Sequence, residues 1–120
     1  MGKIFHLLFL VTLVSCKSVG TEDLSTQSTV DSNKWYEGGT LHKATLAQWN
    51  LAAAADRLAT SADFATVLAK ERKLILNSIE ELRPLAKEVE DCVTKSSQTS
   101  ALSNQLASEI AAACILLLSK

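Results

Sequence analysis

Apolar positions come in blocks along this chain, and the blocks differ in length and rhythm. Residues 4–14 form a mainly apolar run of eleven, interrupted only by His6 and Thr12. A helix needs about 20 apolar residues to cross a bilayer core, whereas a run of 10–14 suits the apolar part of an export signal. Residues 17–33, KSVGTEDLSTQSTVDSN, show no sustained apolar period and much Ser and Thr. Such a stretch buries too little surface to offset its ordering entropy, which predicts a flexible tether.

From residue 35 the pattern turns helical. Thr45 and Gln48 have the spacing of a capping box, so a helix is expected over about 46–58. Leu46, Trp49 and Ala53 make one apolar stripe, and Leu51, Ala55 and Leu58 another on the far side. Two apolar faces predict a central helix sandwiched between neighbours. Thr60-Ser61-Ala62-Asp63 offers a second start, followed by Phe64, Val67 and Leu68 at helical spacing. Leu74-Ile75-Leu76 fits either a helix end or an extended connector. Ser78 and Glu81 form a second capping box, but Pro84 lies deep for a helix starting there. The helix is either kinked at Pro84 or regular only from about that residue. Leu85, Ala86, Val89, Cys92 and Val93 then keep one apolar stripe. After a polar stretch at 96–104, a last helix over about 105–118 carries Leu106, Ile110, Ala113, Cys114 and Leu117 on one side. The sum is an all-α domain, a small bundle of about four helices over 35–120.

The start of the chain carries its most specific signal. Lys3 precedes the apolar run, and the run ends in Leu13-Val14-Ser15-Cys16. That segment resembles the lipobox of bacterial lipoproteins: an aliphatic residue, two smaller ones, then cysteine. The resemblance covers the first sixteen residues. It implies that 1–15 are a cleaved signal peptide and that Cys16 is the lipidation site, holding the chain to a membrane without crossing it. Several acyl chains anchor firmly, at about 0.8 kcal/mol per buried CH₂. Lys17 follows the cysteine where retention signals place Asp, which resembles lipoproteins sent to the outer membrane. Residues 16–34 then form the lipidated tether.

Cysteine count fits this reading. There are three cysteines, and an odd number in an exported chain flags a loose thiol. With Cys16 acylated, Cys92 and Cys114 remain, in a compartment where pairing is the default. Facing positions of an antiparallel helix pair sum to a constant, so these two meet only if the intervening turn centres near residue 103. That requires a late start for the last helix. The disulfide would then join the last two helices.

Charge and chemistry narrow function mainly by exclusion. Without Lys3 the chain keeps eleven basic against thirteen acidic residues, which gives no basic footprint for nucleic acid. His6 lies in the signal, leaving His42 as the one histidine of the mature chain. A lone histidine makes neither a nucleophilic triad nor a metal site. Glu80, Glu81, Glu88, Glu90 and Asp91 read as a solvated face, and Gly38-Gly39 lacks the Lys and Ser/Thr of a phosphate loop. No enzymatic activity, metal or cofactor is expected. Trp35, Tyr36 and Trp49 are half of the six aromatic residues. They either seal an alanine-rich core or anchor a partner, which makes Trp35, Tyr36 and His42 candidate partner-binding residues. The segment WYEGGTLHKATLAQW resembles one found in small exported helical proteins of proteobacteria, to which no activity attaches. The expected function is an envelope lipoprotein acting by protein–protein interaction, in concrete form an inhibitor or immunity factor of the periplasm. The alternatives are an assembly accessory of an envelope complex or a small-ligand carrier.

Overall fold

The computed structural model describes residues 34–120. The signal peptide, the lipid site at Cys16 and nearly all of the tether lie outside the described residues. Four helices follow in order: α1 (Leu46–Leu51), α2 (Ala54–Glu71), α3 (Arg83–Ser97) and α4 (Ala107–Leu118). Short 3-10 turns at Ile79–Leu82 and Ser100–Leu102 lead into α3 and α4. The described residues hold no β-strand, and the fold is all-α as expected.

The capping box forms as its spacing requires. Thr45 Oγ1 accepts from Gln48 N at 3.2 Å, and Gln48 Oε1 accepts from Thr45 N at 2.9 Å. The other free amides of the first turn go outward, Leu46 N to Gln105 O and Ala47 N to Ser103 O. Ala107 N returns a bond to Ala44 O, so the start of α1 and the start of α4 are stitched together by an isolated bridge. Every N-terminal donor of α1 is therefore satisfied.

The expected single helix over 46–58 is two. Ala52 and Ala53 are extended, at ψ 158° and 146°, and α2 begins at Ala54. Alanine has the best helix propensity, so tertiary contacts decide the break. Trp49 is fully buried and donates from Nε1 to Thr94 Oγ1 of α3. Asn50 bonds to Ser97. With α1 fixed against the end of α3 and the start of α4, the chain must turn to continue. Arg57 then satisfies freed carbonyls, donating to Ala52 O at 3.1 Å and Trp49 O at 3.5 Å. The start signal at Thr60 is likewise overridden, because Thr60 and Ser61 lie buried in the middle of α2.

The central helix is α3, which packs on α1, α2 and α4. The expected second apolar face of 46–58 is not sandwiched: Leu51 and Ala55 are exposed. On α3 the predicted stripe holds, with Leu85, Ala86, Val89 and Val93 buried. Burying a leucine or valine side chain is worth about 1.5–3 kcal/mol. Pro84 sits in the first turn of α3, where its missing N–H costs nothing. The regular helix starts there, and Ser78 makes no side-chain cap.

The late start of α4 brings Cys92 and Cys114 together. Their disulfide has an S–S distance of 2.03 Å and a Cα–Cα distance of 6.0 Å, and links α3 to α4. The face of α4 differs from expectation. Ala107, Ala111, Cys114 and Ile115 are buried, whereas Ala113 and Leu117 face solvent. Leucines on several sides leave apolar period unable to choose; the small residues at 107, 111 and 114 mark the side that approaches α3 closely.

Candidate functional site

The predicted partner-binding segment is largely a strap laid across α2. Gly38 turns the chain at φ 82°. Gly39 then passes so close to α2 that an added Cβ would lie 2.5 Å from Thr60 N and 2.6 Å from its Cα. Only glycine permits that approach. The backbone that follows is met by side chains of α2. Thr40 N donates to Asp56 Oδ1 at 2.7 Å, Thr40 Oγ1 to Asp56 Oδ2 at 2.5 Å, and Leu41 N to Thr60 Oγ1 at 3.2 Å. Asp56 also lies in the first turn of α2, where the helix dipole favours an anion.

His42 closes the strap. Its Nε2 lies 2.7 Å from Asp63 Oδ2, and its ring meets Phe64 edge-on with centroids 5.6 Å apart. The pair has no serine or cysteine nucleophile among its hydrogen-bond partners. Trp35 and Tyr36 are half-buried and pack on the core in edge-to-face contact at 5.7 Å. Trp35 Nε1 donates to Glu80 Oε1 at 2.9 Å, and the Arg83 guanidinium lies 5.3 Å from its ring. Trp35 and Tyr36 thus stay together, while His42 is engaged elsewhere, on α2.

The acidic residues do not converge on a reaction centre. Glu90 is buried and paired, with Arg57 Nε at 3.6 Å and Lys87 Nζ at 3.1 Å. Lys87 also reaches Asp91 at 3.3 Å. Hydrogen bonds to Glu90 and then Asp91 raise the pKa of Lys87 above its ordinary value. Glu88 serves Arg72, whose Nη2 also donates to Leu118 O at 2.6 Å, pinning the end of α4 to α2. No group of three or more His, Cys, Asp or Glu suited to a metal occurs among the described residues.

One apolar surface escaped the sequence reading. Phe64, Val67 and Glu71 of α2 and Ala112, Ile115 and Leu116 of α4 line a groove of about 390 Å³ between the two helices. Leu116 is 65 % exposed and Val67 46 %. The signal for it lay in Val67 and Leu116, each a large apolar residue one step off its helix's stripe of small buried ones. The His42 ring contacts Phe64, one of the lining residues. Comparison with known proteins gives no counterpart: no protein-family model, curated protein or solved structure matches this chain.

Proposed function

We propose that this chain is an envelope lipoprotein, anchored through Cys16 in the outer membrane and facing the periplasm, that works by binding another protein. The observation that carries the binding half is the groove between α2 and α4. The domain has a core beneath it, yet Phe64, Val67 and Leu116 offer apolar surface beside the polar Glu71 and Ser108. An apolar centre with a polar rim is the anatomy of a protein interface. An amphipathic helix or loop of the partner suits such a groove. The concrete form is a non-enzymatic inhibitor or immunity factor that neutralises an incoming toxin or hydrolase.

The test is purification of the acylated protein from its native host after mild crosslinking, with mass spectrometry of what comes with it. An envelope partner should be recovered by the parent and lost by Leu116→Asp, with a tenfold or greater fall in affinity, about 1.4 kcal/mol or more. Recovery of no envelope protein, or equal recovery by the variant, overturns the groove as the binding surface. The anchor is tested separately. Cys16→Ser should lose lipid labelling and membrane association, and persistence of both overturns the lipobox reading.

A further inference from the structure

The connector between α2 and α3 holds apolar side chains in water that the core does not use. Ile75 is 86 % exposed, Leu74 45 % and Ile79 42 %. Leu74 and Ile79 line an open depression with Thr66 and Lys70 of α2. The chain reaches this connector through a Schellman turn, with Leu74 N donating to Ala69 O and Lys73 N to Lys70 O. Lys73 takes the left-handed position at φ 57°, a site that suits glycine and strains other residues.

The polypeptide that precedes the domain joins it at the same place. Trp35, the second described residue, is fixed to Glu80 and Arg83, and Glu80 follows Ile79 directly. Seventeen residues, 17–33, separate Cys16 from Lys34. A coil of that length spans about 20–25 Å. An anchor at Cys16 would keep this flank nearer the membrane, on average, than the far side of the domain.

We propose that the 73–79 connector is a membrane-contacting surface, with Leu74, Ile75 and Ile79 seated in the lipid interface beside the attachment of the tether. This inference rests on lipid anchorage at Cys16. Charge does not drive the contact, because Lys70, Lys73 and Arg83 are matched nearby by Glu71, Glu80 and Glu81. The contact is apolar, and it is independent of anionic lipid and of salt. A protein could cover the same side chains, but the anchor brings the bilayer to them continuously.

The experiment uses the full acylated chain in phosphatidylcholine vesicles, some carrying brominated acyl chains. Ile75→Cys bears an environment-sensitive fluorophore. Leu51→Cys is the reference, exposed and next to Asn50, which bonds to Ser97 at the opposite end of α3 from Arg83. Both sites are solvent-facing, and a retained helical circular dichroism spectrum checks the fold. The label at 75 should shift to the blue and lose roughly half its emission to brominated lipid, with the label at 51 unaffected. Added phosphatidylglycerol or high salt should change neither. Equal behaviour at both sites, in protein whose mass shows the acyl group on Cys16, overturns the membrane contact and leaves the anchor standing. A signal at 75 that disappears in high salt also overturns the apolar contact. Absence of the acyl mass overturns the anchor, and this surface with it.

Discussion

A single stripe of α2 is covered along its first half and open along its second. At about 100° per residue, Asp56, Thr60 and Asp63 align with Val67 and Glu71. Over the first three lies the strap, its amides taken up by Asp56 and Thr60 and its histidine paired with Asp63. At Phe64 the strap ends, and the groove towards α4 begins. Extended backbone can lie only where acceptors wait for its N–H groups. Asp56 and Thr60 supply them to the strap, whereas Val67, next along the stripe, supplies none. The change of residue type along one stripe marks where the cover of the strap ends and apolar surface is left open.

The largest blow to this contrast is loss of the disulfide, because it holds the α4 wall of the groove and leaves the strap untouched. Cys92 and Cys114 are 22 residues apart, which gives a cost of about 3–4 kcal/mol in the chain-entropy model. Thermal unfolding with and without reductant should show that loss. Hydrogen exchange should rise first in α4, while the amides of Thr40 and Leu41 stay protected. Equal loosening of both regions would break the comparison.

Gly39→Ala attacks the other half. Its Cβ would collide with the backbone of Thr60, and overpacking of this kind costs about 1–3 kcal/mol. Urea unfolding should register the cost, with Leu41 N losing protection while partner binding through the groove persists. Leu116→Asp should do the reverse. Stability should change by no more than about 0.5 kcal/mol, as at exposed sites generally, while partner capture fails. A large stability loss would place Leu116 in the core rather than in an interface.

The smallest expected effect is at Lys87. Its pKa is raised above 10.5 by Glu90 and then Asp91, so its stabilising contribution is complete below 10.5 and fades as pH climbs through the higher folded value. The side chain is mostly exposed, and its pairs are worth about 0–1 kcal/mol. Lys87→Met should therefore differ slightly from the parent at neutral pH and converge with it in strong alkali. A difference that grows with pH would contradict the assignment of those pairs.

What the sequence showed and what it hid have different physical causes. The all-α fold, the Thr45 cap, the α3 stripe and the cysteine pairing were legible, because each depends on local spacing or on one register constraint. The break at Ala52 was not, because alanine favours helix and the turn is imposed by Trp49, Asn50 and the segment before α4. The buried side of α4 was hidden by leucines on several sides. For the candidate site, His42 was singled out but its hydrogen-bond partner Asp63 was not, since nothing local ties residues 21 positions apart. The groove needs two helices to exist at all, so neither sequence block could reveal it alone.

Arg72 and Cys114 together have a consequence for recognition. The disulfide fixes α4 at Cys114, and the Arg72 guanidinium grips the carbonyl of Leu118 one turn later. Ile115 and Leu116 fall between these two fastenings, so the slot they border has a set width. A partner of the proposed kind would find its seat ready-made, with little ordering to pay for on this side. Related visitors should then arrive at similar speeds and differ in how long they stay, with dwell time reporting the quality of fit.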